Sequence, residues 1–462
     1  MFKLAVTLLA LQAAVILATP SKISPALQAT FNTKSSVDVM VVLKEATRPI
    51  LDQIAARKYT NEVAKRTAIR SGLMEFTEAS QANILSFLSS RAPSKTARGY
   101  WITNRIFIAE ATADLVSEIA SQFSEVAEIR EAIVIPLEET VKVADYKVPI
   151  TNETEPAWGV ARVRAPEAWE AGFEGEGVVV ANIDTGVRWN HEALIDNYRE
   201  AYGWYDPYDG TDISKDFQGH GTHTMGTICG THGIGVAPKA KWVACRGCGT
   251  FACTEDALVR CGQWVTCPTR WDGSEPDCSQ APRVSSNSWG GGQGDPFYND
   301  IVDSWRAANI VPVFAIGNSG PFCRTANSPG DQDNLISVGA TNEVDAVTAF
   351  SSKGPLINDI NVVKPEFSAP GNNIVSASYL DVGGYSSLSG TSMACPHVAG
   401  AIAVLLSRNP DLTFDQIEDA FYDNTVQPPI DETPCGNVTD FWPNNSYGWG
   451  ILDVSSSVGS VS

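Results

Sequence analysis

Three short apolar runs bounded by glycine constrain this chain more than any other feature: Val178-Val179-Val180-Ala181-Asn182-Ile183, Val311-Pro312-Val313-Phe314-Ala315-Ile316 and Leu335-Ile336-Ser337-Val338-Gly339-Ala340. None alternates apolar with polar positions. A strand of this kind is covered on both faces, which requires helices above and below it and hence a mostly parallel sheet. Helical stretches lie between and after the runs, notably Met393 to Arg408 and a capping-box start at Thr413-Phe414-Asp415-Gln416. The expectation for residues 147–462 is an α/β domain.

The N-terminal part has a different rhythm. A strand-like segment at Val37 to Leu43 precedes a helical period from about Tyr59 to Leu88, then a strand at Gly99 to Ile108, a helix at Ala113 to Phe123 and a strand at Val126 to Ile135. That count suits a small antiparallel sheet with helices on one face. From about Glu139 to Glu155 the pattern lapses into polar residues with Pro149 and Pro156, the look of a linker, so a boundary is expected near Tyr146.

The chain has 462 residues and a formal charge of −20. Residues 1–144 hold 16 Lys+Arg and 14 Asp+Glu, against 17 and 39 in the remainder, so the acidity belongs to the second unit alone. A nucleic acid would be repelled, and no basic run offsets that field. Lys3 followed by the apolar Leu4 to Leu17 reads as a signal peptide over residues 1–18, too short to span a bilayer. A secreted chain that is free to form disulfides and does not bind membranes is expected.

Hydrolysis of a peptide bond by a hydroxyl needs a nucleophile, a base, a carboxylate to hold the base, and donors for the oxyanion. Asp184 closes the first buried run in Asn182-Ile183-Asp184-Thr185-Gly186. His220 sits in Gly219-His220-Gly221-Thr222-His223-Thr224. Ser392 sits in Gly390-Thr391-Ser392-Met393-Ala394-Cys395-Pro396-His397, with Pro396 read as first-turn proline of a helix whose free amides favour negative charge. Asn318, directly after the second apolar run, supplies a carboxamide for the same oxyanion.

The order Asp, His, Ser with these flanking words resembles the subtilisin-like serine proteases, or subtilases, over most of residues 157–455, and resembles the bacillopeptidase F-like branch most. The resemblance implies a triad of Asp184, His220 and Ser392, with Asn318 as oxyanion donor. It implies substrate pairing at Ser288, Trp289 and Gly290, and a specificity pocket walled by Trp289, Ala315, Ile316 and Gly317. It further implies that residues 19–146, folded over about 36–139, form a ferredoxin-like inhibitory propeptide released by autoprocessing near Tyr146-Lys147. Protein or peptide substrates, a monomer, no catalytic cofactor and a possible structural calcium complete the expectation.

Other readings are weaker. Asp184-Thr185-Gly186 matches the aspartic-protease word, but that chemistry needs a second such carboxylate and no second word occurs. His223 and His397 fit packed helix positions, and no third metal-ligand word accompanies His223. Cys395 reads as a small buried thiol. Seven further cysteines fall between Cys229 and Cys278, including Cys245-x-x-Cys248, and disulfide staples of an insertion are expected, with Cys323 and Cys435 as outside partners. Sequons stand at Asn152, Asn437 and Asn444.

Overall fold

The computed structural model describes residues 21–137, 141–146, 155–429, 435 and 442–461, with only the backbone described over 141–146. The signal peptide read over 1–18, Lys147 of the expected processing site, and the sequons at Asn152 and Asn437 lie outside the described residues. No helix among the described residues is long and apolar enough to cross a membrane.

The N-terminal unit builds one antiparallel sheet from β1 (Val37–Leu43), β2 (Ala97–Gly99), β3 (Arg105–Ala111) and β4 (Val126–Glu131), in spatial order β2-β3-β1-β4. With the helix Glu62–Arg91 between β1 and β2 and the helix Ala113–Gln122 between β3 and β4, this is the ferredoxin-like split βαβ arrangement. Two expected strands are interrupted. Residues 100–104 form a connection in which Tyr100 N–H donates to the Arg105 carbonyl at 3.1 Å. After β4 the chain leaves the sheet and re-forms as β5 (Val134–Pro136), and a further strand, β6 (Val141–Tyr146), occupies part of the stretch read as a linker.

The C-terminal unit contains β7 (Val179–Asp184), β8 (Trp204–Tyr205), β9 (Lys241–Arg246), β10 (Ala252–Thr254), β11 (Val284–Asn287), β12 (Val311–Ala315), β13 (Ile336–Thr341) and β14 (Phe367–Pro370), then β15 (Ile374–Ala377) and β16 (Tyr385–Ser389). Seven of these form a wholly parallel sheet in the order β14-β13-β12-β11-β7-β9-β8. The three apolar runs are β7, β12 and β13, buried almost throughout because helices cover both faces. Connectivity reverses between β7 and β11, which puts a crevice at their carboxyl ends. Asp184 ends β7 and Ser288 follows β11 at that point.

Two helices carry the other candidate groups into the crevice. His220–Cys229 and Thr391–Arg408 are buried along nearly their whole lengths. Small residues permit the close packing: a Cβ on Gly400 would meet Val236 Cβ at 2.8 Å and the Ile228 carbonyl oxygen at 2.9 Å. The second helix starts at Thr391, not beyond Ser392, so Pro396 lies inside it and not in its first turn.

The two units share an apolar core in which Met40, Leu51, Ile54 and Phe107 join Trp264, Tyr298, Ile301 and Trp305. Arginines of the first unit meet carboxylates of the second: Arg130 binds both oxygens of Glu255 at 2.6 and 2.7 Å, Arg105 reaches Asp300 at 3.2 Å, and Arg48 reaches Asp303 at 3.0 Å. Arg98 also pairs with Asp256.

Cysteine pairing is Cys245–Cys261, Cys248–Cys253, Cys267–Cys278 and Cys323–Cys435, with Cys229 and Cys395 as buried thiols. Cys245 and Cys248 are therefore neither a redox pair nor a zinc site. Asn444 is fully buried and its carboxamide oxygen receives the Ser446 and Tyr447 N–H groups.

Candidate active site

Asp184 is held at the end of a central strand, 1% exposed, with Oδ1 accepting the Thr185 N–H at 2.7 Å. His220 opens its helix directly opposite. Its Nδ1 lies 2.8 Å from Asp184 Oδ1 and 3.0 Å from Oδ2. A carboxylate accepts there, so Nδ1 carries the proton and the neutral ring keeps its basic lone pair on Nε2. The helix must approach the strand closely for this contact, and a Cβ on Gly221 would lie 2.1 Å from the Gly186 carbonyl oxygen.

Asp216 sets the entry of the His220 helix, a role the sequence reading missed. Its Oδ1 accepts the Gln218 and Gly219 N–H groups and the Thr185 hydroxyl, and its Oδ2 accepts both the N–H and the hydroxyl of Thr222. Thr185 Oγ1 in turn accepts the Gly221 N–H at 2.9 Å. Burial raises the Asp216 carboxyl above its ordinary range, and these donors oppose that shift. An acidic residue a few positions ahead of a helix is the signal that could have found it.

Ser392 is the second residue of its helix, where a backbone N–H has no acceptor within the helix. Its hydroxyl donates to the Ser288 carbonyl at 3.2 Å, and the Ser288 hydroxyl donates to the Ser392 carbonyl at 3.0 Å. The second bond has a local cause. Pro396 occupies the position whose N–H would have bonded that carbonyl, and proline has none. Asn318 is fixed by Thr391, whose N–H and hydroxyl both donate to its Oδ1 at 2.8 and 2.9 Å. That leaves Nδ2 as the group able to donate elsewhere.

His220, Ser392, Thr391, Ser288, Trp289, Gly290, Ala315 and Gly317 line one cavity. Ile316 does not: it is fully buried beside the cavity wall. The Trp289 ring turns inward, edge-on to Tyr298 and Phe314 at 5.1 and 5.3 Å. His223 and His397 are packed as expected, His223 against the Ile374 and Ser386 carbonyls and His397 against the Met393 carbonyl. Burial depresses them to about 3 and about 4, so both are neutral. Cys395 is buried behind Ser392 and its thiol is pushed up to about 11 by burial, which removes it as a nucleophile. Among the described residues no group of three or more His, Cys, Asp or Glu is placed to hold a metal ion, so no calcium ligands can be named.

The remaining cavity wall comes from the first unit. Pro136 and Leu137 line it beside His220 and Ser392. β5 is antiparallel to β10, with Ala252 opposite Pro136, Cys253 opposite Ile135 and Thr254 opposite Val134, and Leu137 N–H donates to the Phe251 carbonyl at 2.9 Å. Beyond the cavity, β6 pairs with β16, setting Val141 opposite Ser389, three residues before Ser392. The chain's own backbone is thus paired with the second unit on both sides of the Ser392 helix start.

The sequence model of the subtilase family matches residues 175–450. The chain is 33% identical to Bacillopeptidase F of Bacillus subtilis (strain 168), over 96% of this chain and 32% of that protein. It is 32% identical to Serine protease AprX of the same organism, over 62% of this chain and 66% of that one, and 32% identical to Subtilisin DY of Bacillus licheniformis, over 65% and 97%. The chain spans about a third of the length of Bacillopeptidase F. With the parallel sheet, the buried Asp-His pair and the serine at a helix start in one crevice, the chain belongs to the subtilase family of serine proteases, on its bacillopeptidase F branch.

Proposed function

We propose that this protein is a secreted serine endopeptidase made as a zymogen, acting on proteins and peptides as a monomer. The observation that carries the reading is the Asp184–His220 pair facing a cavity shared with Ser392 and walled on one side by the chain's own Pro136 and Leu137. Ser392 Oγ attacks the peptide carbonyl carbon and its proton passes to His220 Nε2, while Asp184 holds the ring and stabilises the imidazolium. The Ser392 N–H and Asn318 Nδ2 receive the oxyanion. Collapse breaks the C–N bond, His220 returns the proton to the leaving amine, and water releases the acyl group by the reverse relay. No cofactor is needed for any step.

Residues 19–146 act as the inhibitory propeptide. Support comes from β5 lying along β10 into the cavity, from the shared core, and from the arginine-to-carboxylate contacts that match the charge difference between the units. Residues 1–18 direct export and are removed first.

Ser392→Ala is the decisive test. Casein digestion and labelling by a fluorophosphonate should both disappear, and the full-length chain should persist unprocessed. Undiminished digestion by the purified variant overturns the reading.

A further inference from the structure

The strand β10 receives the extended backbone of β5 yet has little of its own to hold it. It is three residues long, and among the described residues its one partner strand is β5, with a single antiparallel bridge from Cys253 back to Cys248. A substrate laid on it by backbone pairing leaves after each turnover, so β10 must keep its place without a ladder. The Cys248–Cys253 disulfide takes that part. Cys253 is the middle residue of β10, and its bonded partner Cys248 donates its N–H to the backbone carbonyl of Asp184 at 3.1 Å. Gly249 N–H closes the intervening turn on the Ala252 carbonyl at 2.8 Å. A continuous path of one covalent link and one hydrogen bond therefore joins the substrate strand to the residue that holds His220. Cys245–Cys261 anchors the end of β9 to the following helix, and the Tyr208 hydroxyl ties Thr254 N–H to the Gly247 carbonyl.

We propose that Cys248 and Cys253 are positioning residues for the substrate backbone: their disulfide sets β10 at a fixed height above the Asp184–His220 pair, so that a peptide paired to β10 meets Ser392 in register. The proposal rests on the peptidase reading. Its consequence is selective. A peptide with four or more residues on the acyl side pairs with β10, whereas a single-residue acyl ester does not reach it and depends on the cavity at Ser392 alone.

The test compares the mature enzyme with a Cys248→Ala/Cys253→Ala variant, each obtained by expressing the full chain, on such a peptide and such an ester. The expected result is a rise of about tenfold in the ratio of peptide KM to ester KM, the scale of one strand ordered on binding. An unchanged KM ratio overturns the proposal, whether overall activity falls or not. Should the variant fail to fold, mature wild-type enzyme is treated with a dithiol, opening of Cys248–Cys253 is located by mass tagging, and the same ratio is read. A rise that follows opening supports the proposal, and a constant ratio overturns it. Undiminished activity in Ser392→Ala would instead sink the peptidase reading, so the two failures are distinct.

Discussion

Ser288 and Ser392 each place a side-chain hydroxyl on the other's backbone carbonyl, at 3.0 and 3.2 Å. The first of these bonds stands in for the helix hydrogen bond that Pro396 cannot make, and it fixes the start of the Ser392 helix to the end of β11. Ser288→Ala should therefore leave a buried carbonyl unpaired, at about 1–3 kcal/mol, and lower kcat by loosening Ser392. Adding Pro396→Ala restores an N–H and should recover part of the stability. Denaturant midpoints of the two single variants and the double variant check the coupling, and additive losses would rule it out.

Asn318→Ala should lower kcat about 100- to 1000-fold with little change in KM, a loss of about 2.7–4 kcal/mol of transition-state stabilisation. That range is the usual cost of removing one oxyanion donor. Steady-state kinetics on a peptide substrate decide it, and unaltered turnover removes Asn318 from the mechanism.

Glu255 is wholly buried where the units meet and is bound by Arg130 through both oxygens. Arg105 and the Ile133 N–H also face Glu255, so Arg130→Ala removes charge-assisted hydrogen bonds of about 1.5–3 kcal/mol and, on the proposed propeptide role of residues 19–146, should weaken inhibition of the mature enzyme about tenfold or more. Inhibition constants for the two propeptides measure this, and equal values would show that apolar contact alone carries the docking.

The first residue of the mature chain should lie beyond Leu137 and no later than Val148. β5 reaches the cavity wall at Pro136 and Leu137, and β6, ending at Tyr146, runs along β16. Amino-terminal sequencing reads the position directly. A mature terminus within residues 21–137 contradicts the threading.

Burial, reinforced by the neighbouring Glu366, lifts the Glu418 carboxyl to about 7. The folded chain then holds a proton that the unfolded chain releases near its ordinary value, so the native state binds more protons between about pH 4.5 and 7. Stability from this group is complete below that window and is lost as pH rises through it, by up to about 1.4 kcal/mol per pH unit. Unfolding midpoints at pH 5 and pH 8 should converge in Glu418→Gln. An identical pH slope in both proteins would discount the group.

Local words and local periodicity were enough to single out Asp184, His220, Ser392 and Asn318 as candidates, to find β7, β12 and β13, and to separate a near-neutral first unit from an acidic second one. These are properties of contiguous residues: burial on both faces writes an unbroken apolar run, and a nucleophile at a helix start writes a compact motif. Tertiary structure alone decided which cysteines pair, that Ile316 turns away from the cavity, that Pro396 sits inside its helix with Ser288 answering for its missing N–H, and that β5 leaves one sheet to lie on β10. Those outcomes depend on backbone pairing and on contacts between segments far apart in the chain. Backbone donors and acceptors are common to nearly all residue types, so no side-chain pattern announces which strand they will meet.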